Sequence, residues 1–177
     1  MILIIKDLDQ TRIHFQAAVQ RVGEGAATTA FARALNKEGD KVRTKVRRAL
    51  RHQTGIKAGV IRSQTKTIPA TKARLSYKIV ATGDHMSLAH FGAKQFSYGV
   101  RARPWGRSQR FKSAFIVDQL KGEVFIRKSK ARLPIRRLYG PSTPKELIKG
   151  ASLRSFEGSC PAVLDEALRQ LSVLFEY

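Results

Sequence analysis

Phe31, Leu35, Val42, Val46 and Leu50 recur at separations of 4, 7, 4 and 4, which places all five on one face of a helix. A stripe of that kind must face a core, so the helix-forming stretch from Ala26 to about Gln53, preceded by Gly23 and Gly25, dominates what this chain can build. Gly39 interrupts the pattern at a cost of about 1 kcal/mol relative to Ala. A bend or break between Asn36 and Asp40 therefore leaves one helix or two open. Gly55 stands where a left-handed C-terminal cap is expected, and Arg51 and His52 occupy the last turn, where cations suit the helix dipole. The helix should end near Thr54, with a short helical turn from Ile56 to Ile61 and a Thr-rich connection to Pro69.

Leu75, Tyr77, Ile79 and Ala81 alternate with Arg74, Ser76, Lys78 and Val80, the pattern of a half-buried strand. Shorter strands are expected around Gly99 to Arg103 and Glu123 to Arg127, while Ala114 to Val117 fits either strand or helix. The apolar run in Met1 to Asp7 is too short for a secretory signal and lacks a leading basic region, so it reads as a strand. After Ser159 and Pro161, Leu164, Ala167, Leu168, Leu171 and Leu174 or Phe175 follow helical spacing, with Asp165 and Glu166 near the first turn. The expected fold class is α+β: an antiparallel sheet packed with a long N-terminal helical segment and a C-terminal amphipathic helix. At 177 residues the chain fits one domain, 1–177. A chain of that length buries about 70% of the surface its unfolded form exposes, so no staples are needed.

Charge then narrows the partner. The chain carries 34 Lys and Arg against 13 Asp and Glu, a net charge of +21, whereas solubility of a small domain needs a magnitude of about 2–8. The excess is confined to residues 37–78 and 94–137, each holding 13 basic and 2 acidic residues. Two blocks of this size on one surface would attract a polyanion, with nucleic acid as the default candidate. No segment approaches the ~20 apolar residues of a spanning helix, so no membrane partner is expected.

Catalytic and metal chemistry find little support. The four histidines, His14, His52, His85 and His90, are scattered, and His85 with His90 beside Asp84 lacks the one-face spacing of a metal-binding helix. Cys160 is the sole cysteine, which excludes an intrachain disulfide. It suits a small buried thiol better than a reactive one, although its place before Pro161 at a helix start would lower its pKa. No Gly-rich phosphate loop or nucleophile elbow is present, since Gly140-Pro141-Ser142 has neither the spacing nor the strand-to-helix context. No enzyme and no cofactor are expected. The stretch from Arg51 through Gly55 to Arg62 has the outline of a helix-turn-helix reader, but Arg51 fits badly where such motifs pack a small residue.

Between Phe111 and Pro144 a strand pattern passes through a basic tract and stops at a turn stiffened by Pro134, Gly140, Pro141 and Pro144. This stretch contains a basic arm at about 127–145, which is either a solvated hairpin with Leu133, Ile135 and Leu138 tucked against the body or an arm stiffened by Pro134 and the Gly-Pro turn to dock on an adjoining protein or line a channel. The segments Phe91-Gly92-Ala93-Lys94-Gln95 with Gly99-Val100, and Lys112-Ser113-Ala114-Phe115 through Arg132-Leu133-Pro134-Ile135 to Tyr139-Gly140-Pro141-Ser142, resemble the minor tail protein Z family of long-tailed bacteriophages, also called tail completion proteins. The resemblance covers the middle third of the chain well and the preceding helical region loosely, and stops after Lys145. It implies a structural component of a phage or prophage tail that acts late in tail assembly near the head-proximal end and helps position DNA. It further implies a virion-tail location, with host cytoplasm during assembly, other tail or neck proteins as partners, and by analogy a sixfold homo-oligomeric ring. A freestanding basic nucleic-acid-binding protein, and a head-tail connector or tail terminator of a neighbouring family, are the alternatives.

Two sets of residues carry the expected contacts. Lys41, Lys45, Arg48 and Arg51 on the helix, with Arg101 and Arg103 in the Arg-rich loop around Trp105, form the anion-facing set, holding DNA backbone without sequence specificity. Lys128, Lys130, Arg132, Leu133, Pro134, Ile135, Arg136, Arg137, Tyr139, Gly140, Pro141 and Ser142 form the arm that docks on a subunit or partner, where Arg and aromatic residues carry much binding energy.

Overall fold

The computed structural model of the chain describes residues 2–5 and 24–175. Expectations on His14 and Gly23, and on the side chains of Leu164, Leu171, Leu174 and Phe175, lie outside the described residues. The elements in chain order are β1 (Ile2–Ile5), α1 (Glu24–Thr54), α2 (Ala58–Gln64), β2 (Thr65–Ile68), β3 (Tyr77–Ala81), β4 (His85–Ser87), β5 (Lys94–Phe96), β6 (Gly99–Ala102) and β7 (Gln109–Lys112). There follow β8 (Ala114–Val117), β9 (Glu123–Arg127), β10 (Ile135–Arg137), β11 (Tyr139–Ser142), α3 (Thr143–Leu147), α4 (Gly150–Glu157) and α5 (Cys160–Phe175). The class is α+β, as expected.

α1 is one unbroken helix of 31 residues, about 46 Å long at 1.5 Å per residue. Gly39 does not interrupt it. The glycine instead admits the Tyr77 ring, because a Cβ at position 39 would lie 2.5 Å from Tyr77 Cγ. The ring is buried, and its Oη donates to Asp40 Oδ1 at 2.7 Å. Burial, reinforced by that hydrogen bond, pushes the phenol up to about 12. The helix ends at Thr54 as expected, where Gly55 adopts φ 73° and donates its N–H to Arg51 O at 2.9 Å.

The apolar stripe of α1 reaches its core through two clusters. Leu35, Val42, Val46 and Leu50 pack with Tyr77, Ile79, Leu88, Val100, Val124, Leu147 and Phe156, whereas Phe31 joins Ala27, Ala30, Ala34 and Ala167 beneath α5. α4 and α5 lie along α1, and β3 packs against it. Lys37 Nζ reaches Glu166 Oε1 at 2.9 Å across α1 and α5. Hydrogen bonds from Arg169, Gln170 and Lys37 hold the Glu166 carboxyl far below the usual carboxylate range.

The strands form four small antiparallel sheets, β1-β3-β2, β10-β9-β8, β11-β4 and β5-β6-β7, in place of the single sheet expected. Positive φ at Gly83 lies in the turn between β3 and β4, and at Lys121 and Gly122 in the turn between β8 and β9, so successive strands stay short. The Thr-rich stretch after α2 is not a connection. It is β2, paired with β3, as suits the β-branched Thr65 and Thr67. Ala114–Val117 is a strand, β8, whose Phe115 stands opposite Phe125 of β9 with centroids 6.4 Å apart. Among the described residues, no helix is long and apolar enough to cross a membrane.

Gly39→Ala should destabilise the protein by about 1–2 kcal/mol net, because overpacking a rigid core outweighs the better helix propensity of Ala. Gly59→Ala in α2, where an added Cβ meets nothing within 4 Å, should be neutral or slightly stabilising. Urea unfolding of the two variants beside the parent checks both signs.

Candidate nucleic-acid interface

Helical spacing sets Lys41, Lys45, Arg48 and His52 along one exposed line of α1, with Arg47 and Arg51 one row over. Their charges are not equally available. Lys41 Nζ lies 2.6 Å from Glu38 Oε1, and Arg43 lies 2.8 Å from Asp40, so both are neutralised locally. Lys45, Arg48 and Arg51 have no ion-pair partner among the described residues.

Neighbouring elements deepen this line into two clefts that share Arg48. Between α1 and α4 lies a cleft of about 410 Å³ lined by Lys45, Arg48, His52 and Arg154. Between α1 and α2 lies one of about 240 Å³ lined by Thr44, Arg47, Arg48, Arg51 and Arg62. Arg47 is locked in place, its Nε donating to Thr65 Oγ1 at 2.7 Å and its Nη2 to Thr65 O at 2.6 Å. Burial, then the nearby Arg43 and Arg62, lower its pKa against the opposing pull of Tyr77 and Asp40. An arginine-lined cavity of this shape is suited to the oxygens of a phosphate. Sequence spacing alone shows the α1 cations; Arg62 and Arg154 arrive from other elements, and no pattern in the chain announces them.

Arg101 and Arg103 are exposed on a different element. They border a third cleft, about 290 Å³, with Phe91, Gly92 and Lys94. The two basic blocks meet at the C-terminal end of α1, where a Cβ on Gly55 would lie 3.4 Å from Arg103 O and 3.3 Å from Gly106 N. A polar knot fixes that junction. Trp105, held at φ 55° in the turn, donates Nε1–H to Glu146 Oε1 at 3.1 Å. Gln53 Nε2 donates to Glu146 Oε2 at 2.8 Å, Lys149 Nζ lies 2.9 Å from Oε1, and Ser152 Oγ donates to Gln53 Oε1 at 2.9 Å. Burial pushes the Glu146 carboxyl up, yet the bonds from Gln53, Lys149 and Trp105 outweigh it and hold the group below its ordinary value.

The basic arm is a β9–β10 hairpin. Its loop closes through Lys128 N donating to Pro134 O at 3.1 Å. Lys128, Lys130, Arg132, Pro134 and Arg136 are exposed, and Leu133 stands 67% exposed rather than tucked against the body. Ile135 and Leu138 are half-buried. Arg137 is tied at 3.2 Å to Glu123 and lies 5.9 Å from the centroid of the exposed Tyr139 ring. Gly140, Pro141 and Ser142 do not belong to the arm surface. They are buried in β11 beside β4, and Gly140 leaves room for Phe91, whose Cε2 would lie 2.8 Å from an added Cβ.

His85 has both ring nitrogens engaged: Nδ1 sits 3.1 Å from Gly140 O and Nε2 3.1 Å from Lys145 Nζ. Since a carbonyl only accepts, Nδ1 carries the proton and Nε2 accepts from Lys145. No cluster of metal-ligating side chains occurs among the described residues. Cys160 is half-buried with Sγ 3.5 Å from Phe156 O, and burial, then Glu157, raises its pKa, the opposite of an activated thiol. α2, the would-be recognition helix, has 7 residues and passes directly into β2. Comparison of the chain with protein-family models, curated proteins and solved structures finds no match.

Because the Glu146 pKa is depressed in the folded state, its stabilisation is complete above the ordinary carboxylate range and is lost as pH falls through the folded value. Trp105 is the only tryptophan, so its emission during acid titration should shift as the knot opens. Glu146→Leu, which removes the acceptor of Trp105 and one of the two acceptors of Gln53 Nε2, should cost about 2 kcal/mol and flatten that acid limb. Urea midpoints across pH check both.

Proposed function

We propose that the chain is a structural protein of a phage or prophage tail, of the tail completion kind, whose cationic helix face holds the DNA backbone without reading bases. The observation that carries this reading is the run of Lys45, Arg48 and Arg51, unpaired among the described residues, flanked by two clefts that add Arg47, Arg62 and Arg154. Charge held on rigid helices binds phosphate through counterion release, which needs no base contact. The α1 surface and the α1–α2 cleft supply such an array.

The hairpin arm supports assembly with other copies or with tail and neck proteins in a ring. An exposed Leu133 set among Lys128, Lys130 and Arg132 suits a contact with protein better than a purely solvated loop. This favours an assembling component over a freestanding basic nucleic-acid binder.

Duplex DNA affinity measured over a salt series tests the backbone grip. Replacing Lys45, Arg48 and Arg51 with Ala should lower the slope of log affinity against log salt by about 2–3, since each lost phosphate contact removes about 0.9. Binding that is absent at low ionic strength, or that ignores salt, overturns the reading. Charge reversal at Lys128, Lys130 and Arg132 should reduce the solution mass to that of the monomer while duplex binding persists, as read by light scattering.

A further inference from the structure

The outward face of the β5-β6-β7 sheet carries charge that the α1 grip does not use. In the strand register Lys94 stands opposite Arg101, and Arg101 opposite Arg110, so three cations lie side by side across three strands. Like charges directly opposite one another destabilise a sheet. Among the described residues none of the three has an ion-pair partner. Lys112, opposite Gly99, puts a fourth exposed cation on the same face. Such a row is at ease only beside an anion. Spaced by about 4.8 Å per strand, it extends over about 10 Å, enough to face a few consecutive phosphates.

Aromatic rings stand beside the cations. Phe96 lies opposite Gly99, which presents no side chain, and the guanidinium of Arg101 on the diagonal sits 4.5 Å from the Phe96 centroid. Tyr98, in the turn between β5 and β6, stacks on Phe96 with centroids 5.4 Å apart and planes within 6°. Arg110 approaches the Tyr98 ring at 5.5 Å, and Tyr98 remains 37% exposed. The reverse face of the sheet is anchored by the buried Val100 and Ala102, so the platform is firm. Beside it the cleft lined by Lys94, Arg101 and Arg103 continues the positive surface.

Phosphate alone requires cations and no rings, and in a duplex the faces of the bases are covered by their neighbours. An unpaired base leaves its π face free, and aromatic side chains within a cationic groove are how sequence-tolerant single-strand binding is built. We propose that this sheet face binds single-stranded DNA, with phosphates along Lys94, Arg101 and Arg110 and an unpaired base stacked on the exposed Tyr98, backed by Phe96, where it takes the place of the Arg110 guanidinium as that turns to a phosphate. The site shares no residue with the α1 clefts; only the choice of DNA over RNA rests on the reading of the chain as a tail protein.

The test is fluorescence anisotropy of the full chain with a labelled oligothymidine, the matching oligouridine and a duplex of equal length. Phe96→Ala with Tyr98→Ala should weaken oligothymidine binding by about tenfold or more and change duplex binding by less than about twofold. Tyr98→Leu, at an exposed turn position, keeps apolar bulk without the π face and should reproduce most of the loss with an unchanged circular dichroism spectrum, while Tyr98→Phe should bind as the parent does. The Lys45, Arg48 and Arg51 triple alanine variant should weaken duplex binding, with the lowered salt slope, and keep oligothymidine binding unchanged. Equal effects of the ring variants on both DNAs, no effect of Tyr98→Leu, or tighter binding of oligouridine than oligothymidine overturns the inference. Loss of duplex binding in the parent with oligothymidine binding retained would instead sink the backbone-grip reading and leave this one standing.

Discussion

The Glu146 carboxylate is the fastening on which the arrangement of the basic surface depends. It accepts from Gln53 on α1, from Trp105 in the Arg-rich turn and from Lys149 before α4, so one buried charge joins three separate parts of the chain. A buried carboxylate is tolerated only when its oxygens are met by donors, and here they are. Ser152 completes the arrangement by fixing Gln53 from the far side. The result is that the C-terminal half of α1 cannot rotate independently of the turn bearing Arg103 and Arg107. The end of one basic block is thereby held against the other.

Rigidity explains why the distribution of cations matters more than their number. A net charge of +21 could be spread over mobile lysines. Instead Arg47 is clamped by Thr65, Arg101, Arg110 and Arg127 lie over aromatic rings, and Arg48 sits between two clefts. Arginines held in this way lose less freedom on meeting an anion than free side chains do. The acidic residues are placed to match: Glu38, Asp40 and Glu166 sit on α1 or the adjoining α5 and neutralise Lys41, Arg43 and Lys37, leaving Lys45, Arg48 and Arg51 further along the helix unopposed.

Periodicity made α1, its cap at Gly55, β3 and α5 legible, because each repeats a signal over many residues. Gly39 was legible as an exception but not in meaning: a missing Cβ shows that something needs the space, and only the fold reveals that Tyr77 fills it. The Lys41 pairing follows from a Glu three residues before it, an i,i+3 relation present in the sequence that charge counting by block passes over. Arg62 and Arg154 join the clefts through tertiary packing, which no local pattern encodes. Gly140, Pro141 and Ser142 look like the end of a stiff arm because Gly-Pro signals a turn. Their burial comes from pairing with β4, a strand of three residues too short to stand out.

The seat of Tyr77 at Gly39 also bears on how this chain can vary. One position is empty because the other is full, so neither can change alone without leaving a clash or a void. Related chains that carry a larger residue on the helix should carry a smaller one on the strand, and the energies of the two exchanges should be strongly non-additive. Two sites far apart along the polypeptide would then drift as a single unit of inheritance.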